Sequence, residues 1–372
     1  MTAMTRSLTL AGEPLPVVSR LRVYTCGITP YDVTHVGHAA VFVWTDLLRS
    51  VARLLDVRPV MTRNVTDVDD VLTAAAARRG RYADEFALTQ EFSFDQDMAA
   101  LGVSLPDAAP RARTHVEAVV QLAAALLERG AAYERDGHVL FRGAGVPGRD
   151  LDDALGRSTE FGDQDVDVER DDPFDVPVWR PSTGDQPAWP SPWGPGRPGW
   201  HAECAAMALT AYGASVDVLV GGTDLAFPHH AYQGAMVEAV TGVAPFARRH
   251  LHVGTVGLDG RKMAKSTGNL VLVRDLLERH SPAAVRLLLL DRAWGEAWDF
   301  EETELLAAER LLGELYAAAG RAEAGSAGDA VGQVTDALLD DLDVPRAVAA
   351  ALEAGGAGAR LLVRALGLGD PA

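Results

Sequence analysis

The chain has 372 residues, 48% of them hydrophobic, enough to bury a large core in two or three units. Against 34 Lys and Arg stand 52 Asp and Glu, so the net charge of −18 repels polyanions and a nucleic-acid partner would need a local basic face. Two cysteines, Cys26 and Cys204, exclude a disulfide scaffold, and no apolar run approaches the roughly 20 residues of a membrane span.

The first residues, MTAMTRSLTL, lack the basic-then-apolar layout of a signal peptide, and a cytoplasmic enzyme is the simplest reading. Residues 1–20 read as a lead-in with an edge strand. Residues 21–25 read as a buried strand, 39–57 as an amphipathic helix with Val43, Leu47, Leu48, Val51, Leu54 and Leu55 on one side, and 57–64 as a second strand. Between strand and helix, His35 and His38 flank Gly37. Such a junction is the usual nucleotide site of a parallel α/β sheet, because helix N–H groups and the helix dipole face the phosphates. Gly37 would let a nucleotide ring approach the backbone. Alone, H-x-G-H reads equally well as a polar loop with incidental histidines. Thr66 to Asp70 follow the second strand and so reach the same carboxyl edge, although Asp69 and Asp70 equally suit a helix cap.

Residues 84–135 read as helical, broken at Leu105-Pro106, with His115 as a surface or packing residue. Residues 137–142 read as a strand. Residues 143–199 turn irregular: 181–200 alone holds six prolines and four glycines, too many for a helix or central strand. Residues 200–211 read as a helix, 216–221 as a buried strand, 223–230 as the loop after it, 231–240 as a helix and 250–255 as a strand. Helices are expected at 275–290 and 301–319, then a Gly/Ala-rich linker at 320–332 and one helical hairpin in the tail. Lysine is scarce, which makes Lys262 and Lys265 conspicuous.

Lys262-Met263-Ala264-Lys265-Ser266 resembles the KMSKS loop of class I aminoacyl-tRNA synthetases, and His35-Val36-Gly37-His38 their HIGH motif. Further stretches are similar to cysteinyl-tRNA synthetases: Cys26-Gly27, Asn64-Val65-Thr66-Asp67-Val68-Asp69-Asp70, Gly199-Trp200-His201-Ala202-Glu203-Cys204, and Gly221-Gly222-Thr223-Asp224 through His229-His230. The stretch CGITPYD, where those synthetases have CGPTVYD, resembles most closely their shortened relatives, the cysteine:glucosaminyl-inositol ligases of the mycothiol pathway. The resemblance covers about residues 20–350.

It implies an α/β class I synthetase fold: a Rossmann-like catalytic domain in two halves, residues 1–120 and 199–274, with a connective insertion at 121–198. Residues 275–372 would form a helical C-terminal region without a full anticodon-binding domain. It also implies one zinc ion held by Cys26, Cys204 and His229, a set of ligands too scattered for spacing alone to suggest. The synthetases add a Glu where this chain has Gln233. Their cysteinyl-adenylate contacts map onto Cys26, Gly27, Ile28, Thr29, Asn64, Val65, Thr66, Trp200, Gly222, Thr223, Asp224 and Val256. ATP, with magnesium, would lie against His35, Gly37, His38, Lys262, Lys265 and Ser266, with His35, His38, Lys262, Lys265 and Asp224 as catalytic groups. Asp224 reads otherwise as a turn residue capping the next helix. Departures from the relatives are Val41, Ala264, the charged loop at 169–175 and Trp294 to Trp298.

The reaction implied is ATP-dependent activation of L-cysteine and transfer to the amine of glucosaminyl-inositol, with release of AMP and pyrophosphate. The alternatives are a compact cysteinyl-tRNA synthetase, a ligase for another small amine, and a catalytically silent nucleotide or cysteine sensor. The chain ends about 60 residues past Arg310, with acids at Asp336, Asp340, Asp341 and Asp343. A small amine rather than tRNA is therefore the expected acceptor, with a monomeric enzyme and no membrane partner.

Overall fold

The computed structural model describes residues 7–369 apart from 32, 162–166, 185, 264–267 and 323–326. A hairpin of β1 (Leu8–Leu10) and β2 (Glu13–Leu15) leads into β3 (Arg20–Ile28), α1 (Val36–Leu54) and β4 (Arg58–Val65). Helices α2 (Asp70–Arg78), α3 (Ala83–Ala100) and α4 (Val116–Glu128) follow. Next come β5 (Ala132–Arg135), β6 (His138–Phe141), α5 (Ala154–Phe161), β7 (Val176–Pro181) and β8 (Gly196–Pro198). The second half brings α6 (Trp200–Tyr212), β9 (Val216–Gly222), α7 (Ala231–Thr241), β10 (Ala247–Val253), and the hairpin β11 (Val256–Leu258) with β12 (Arg261–Lys262). Then come α8 (Val273–Leu277), α9 (Pro282–Leu290), β13 (Trp298–Asp299), α10 (Glu302–Gly320), α11 (Ala327–Leu339), α12 (Val344–Ala354) and α13 (Gly356–Ala365).

The central sheet runs β10-β9-β3-β4, with all pairings parallel. The fold class is α/β. Because β3 crosses through α1 to β4 on one side and β9 through α7 to β10 on the other, the connections diverge between β3 and β9. A crevice therefore opens at the carboxyl ends of those two strands, the place where α/β sheets bind ligands. Strand alternation sends Leu21 and Val23 into one core with α1, α9 and the C-terminal helices. It sends Tyr24 and Cys26 into the other, with α4, α6 and α7. Cys26 consequently faces the helix that carries Cys204.

A second, antiparallel sheet, β5-β6-β7-β8, is built from residues 132–198. Residues 132–135 are thus a strand and not the end of a helix: Gly137, at φ +78°, closes a tight hairpin to β6. The prolines of 181–200 leave room for β7 and β8 because they fall at strand ends. The expected helix at 275–290 is two, since Ser281 caps α9 and Pro282 opens it. The lead-in is a hairpin that reaches the tail, with Thr9 donating to Leu339 O.

The tail also differs from expectation. It holds three helices, α11–α13, packed on one another and on α10, and α11 occupies much of the supposed linker. Its apolar stripe, Val334, Ala337 and Leu338, is buried, and Gly332 is half-buried on the same helix. Tail acids are structurally engaged, among them Asp340 with Arg346, Asp341 with the Ala11 N–H, and Asp343 as the cap of α12. No helix among the described residues is long and apolar enough to cross a membrane.

Candidate active site and metal centre

Cys26 (end of β3), Cys204 (α6) and His229 (after β9) are buried, and their ligand atoms all lie within 4.8 Å of one another. Zn–S and Zn–N bonds of about 2.3 and 2.0 Å put tetrahedral ligands about 3.5–3.8 Å apart, so two sulfurs and a nitrogen gathered this closely fit a zinc ion. Burial and the neighbouring Cys26 push the Cys204 thiol well above its ordinary range. A coordinated cation would reverse that preference, since a coordinating thiol is deprotonated outright. Gln233 is fully buried beside the pair. Its carbonyl accepts from the Cys26 thiol at 3.5 Å and its amide donates to Cys204 O at 3.4 Å. A neutral amide at this position adds no fourth anionic ligand.

Asn64 and Thr66, on and just after β4, join this wall to the Cys26 loop. Thr66 Oγ1 meets Thr29 Oγ1 at 2.7 Å, and the Thr66 N–H donates to Ile28 O. The Gly27 N–H donates to Asn64 Oδ1 at 2.7 Å. A Cβ on Gly27 would sit 1.9 Å from the Asn64 carbonyl oxygen, so only glycine allows this approach. Trp200 stacks on His229 with ring centroids 4.2 Å apart, which places its indole beside the candidate metal ligands.

His35 is the residue before the first turn of α1, and its ring stacks on His38 at 4.0 Å. A Cβ on Gly37 would come within 3.1 Å of the His35 ring, so this glycine first makes room for the histidine. The loop pairs with the segment after the lysine motif: Val36 N–H donates to Val271 O, and Val273 N–H to Thr34 O. Val256, also a predicted contact, lies 3.8 Å from that Gly37 Cβ position. The His35 loop and the segment that follows the lysine motif are therefore neighbours. Lys262 lies at the end of β12 and its Nζ is 2.6 Å from Asp224 Oδ2. Asp224 sits in the 3₁₀ turn Thr223–Leu225 beyond Gly222, at the carboxyl edge of β9. Ala264, Lys265 and Ser266 lie outside the described residues.

Asp69 is a helix cap, accepting from the Val71 and Leu72 N–H groups, while Asp70 pairs with Arg197 of β8. Neither is placed as a ligand. Reading the sequence missed an imidazole cluster. His201 Nδ1 lies 2.8 Å from His229 Nδ1, His230 Nδ1 lies 2.8 Å from His252 Nε2, and His250 stacks on His252. Burial holds His230 well below the ordinary imidazole value; it also lowers His252, to about 4, helped by His250 and opposed by Asp224. The signal was the H-x-H of β10, because residues two apart on a strand share a face.

A family model described as the class I tRNA synthetase (C) catalytic domain matches residues 16–310. A Rhodospirillum rubrum protein named cysteine–tRNA ligase is 40% identical over 345 residues, covering 91% of this chain and 74% of its own length. A Mycobacterium ulcerans protein named L-cysteine:1D-myo-inositol 2-amino-2-deoxy-alpha-D-glucopyranoside ligase is 41% identical over 354 residues, covering 91% and 85%. Among solved structures, Mycobacterium tuberculosis methionyl-tRNA synthetase in complex with methionyl-adenylate matches with a TM-score of 0.65 at 18% identity, covering 94% of this chain and 82% of that one; this supports the fold. With a model match over most of its length and relatives this similar, the chain belongs to the class I tRNA synthetase family, in the cysteine branch that the matching model describes.

Proposed function

We propose that the protein activates L-cysteine with ATP and transfers the cysteinyl group to the amine of a glucosaminyl-inositol. The enzyme is an ATP-dependent ligase of the class I synthetase family. The observation that carries the choice of cysteine is the buried convergence of Cys26, Cys204 and His229 at the crevice edge. When bound there, zinc would supply a soft position that takes a thiolate far better than a hydroxyl. Trp200 walls the thiol pocket, and Asp224 offers the substrate ammonium a charge-assisted hydrogen bond.

The cysteine carboxylate then attacks the α-phosphorus in line, breaking the bond to the departing pyrophosphate. His35 and His38, at the start of α1, would donate to oxygens whose charge rises in that transition state. Lys262 and Lys265 would neutralise the β- and γ-phosphates, with magnesium accompanying the nucleotide. In the second half-reaction a neutral acceptor amine attacks the mixed anhydride, AMP leaves, and a carboxylate such as Asp224 can take the amine's proton. The antiparallel sheet of β5–β8 interrupts the parallel one, which supports reading residues 121–198 as a connective insertion. We take the enzyme to be a cytoplasmic monomer.

Cysteine-dependent exchange of pyrophosphate into ATP, without RNA, tests the first step. Serine should support it at least about a hundredfold less well. Metal analysis of the wild type and Cys204→Ala tests the centre, which should hold one zinc per chain only in the wild type. The similarity to a cysteine–tRNA ligase supports a second reading, in which the acceptor is a ribose hydroxyl of tRNA. Incubating enzyme, ATP and cysteine with either acceptor and following product by mass spectrometry separates them. Charging of tRNA with no amide from the sugar would select the second.

A further inference from the structure

We infer that Asn64 is a positioning residue of the metal centre, donating an N–H hydrogen bond to the Cys204 sulfur; this rests on the metal reading above. Asn64 Nδ2 lies 3.0 Å from Cys204 Sγ, and Asn64 Oδ1 accepts from the Gly27 N–H at 2.7 Å. A backbone N–H can only donate, so Gly27 fixes which end of the amide is oxygen and turns the NH₂ end toward the sulfur. The side chain is 1% exposed, and both its ends are committed.

The geometry gives the amide two tasks. It clips the Cys26–Gly27 loop of β3 to Cys204 of α6 through β4, which holds the separation of the two sulfurs. It also places a partial positive charge against one thiolate. Two thiolates and an imidazole leave a zinc ion neutral, and a substrate thiolate would bring the buried set to a net negative charge. An N–H donor offsets part of that charge where no water can. Gln233 does not share this task, because its carbonyl end faces Cys26 and its amide is turned to the Cys204 carbonyl.

The test uses full-length wild type, Asn64→Ala, Asn64→Asp and Cys204→Ala. Zinc affinity is read by competition with a chromophoric chelator, and the thiolate-to-metal charge-transfer band is read after loading with cobalt. Asn64→Asp keeps the acceptor for Gly27 but not the donor to sulfur at mildly alkaline pH, so it carries the test if Asn64→Ala misfolds. Losing an outer partner of a metal ligand should weaken zinc binding about 10- to 100-fold. The band should move to lower energy in both Asn64 variants, because a thiolate without its hydrogen bond donates electrons more readily. Unchanged affinity and band in both variants would overturn the inference and leave the metal reading standing. Weaker binding with an unmoved band would reduce Asn64 to a structural clip and also overturn it. A wild type that binds no zinc would overturn the metal reading itself.

Discussion

Asp224 is asked to serve two ammonium groups. In the structure it holds Lys262 Nζ at 2.6 Å, while the proposed reaction gives it to the amino group of cysteine. The side chains are 40% and 31% exposed, so the Lys262 pair is worth at most about 1 kcal/mol and yields readily to a substrate. The bond to a substrate ammonium in the closed pocket is of the charged kind, worth about 1.5–3 kcal/mol. Asp224→Asn should therefore weaken cysteine binding about 10- to 150-fold, by the same relation. ATP binding without cysteine should change by no more than about fivefold, since Lys262 loses only its exposed partner. Equilibrium dialysis with each ligand separately measures both. Cysteine affinity within about twofold of wild type would show that the carboxylate does not hold the substrate, and would leave Asp224 as an anchor for Lys262 alone.

Three further outcomes follow from the packing. Gly27→Ala must displace the Cys26 loop from Asn64 and should lower zinc content, whereas Gly313→Ala, with nothing within 4 Å of the new methyl, should not; metal analysis decides. Arg286 is buried, donating to Asp46, Leu101 O and Leu366 O, so Asp46→Ala strands a buried charge and should cost about 3–5 kcal/mol in urea unfolding. The double variant Asp46→Ala/Arg286→Met should regain part of that loss. A hydrogen bond to Glu309, supported by Glu302, raises the His280 pKa above the ordinary imidazole value. A raised value means the stabilisation is full below the unfolded pKa and fades as pH rises through the folded one, so His280→Gln should destabilise at about pH 6 and hardly at about pH 9.

The candidate site was legible in the sequence because its residues sit at or just beyond strand ends, where short motifs and hydrophobic periodicity coincide. His35, Cys26, Asn64 and Asp224 all fall there. The donor set Cys26, Cys204 and His229 was legible only through resemblance: the two cysteines stand 178 positions apart, and no local spacing encodes a meeting made by sheet order. Composition misled at 327–332, where residues rich in glycine and alanine read as linker but form the first turns of α11. It misled again at 132–135, where an Ala-rich helix and the following strand share one alphabet and only the turn at Gly130, φ +69°, divides them. Asn64 matched a motif, but its neighbour across space, the Cys204 sulfur, was invisible in one dimension.

The order β10-β9-β3-β4 also sets when metal can arrive. A zinc finger gathers its ligands from one short stretch, so its ion can bind while the chain is still forming. Here the ligands come from β3, α6 and the turn after β9, and they meet only once the two halves of the sheet have paired. An ion held by all three must therefore select the assembled protein. Stability then tracks free zinc, rising by about 4 kcal/mol when zinc exceeds its dissociation constant a thousandfold.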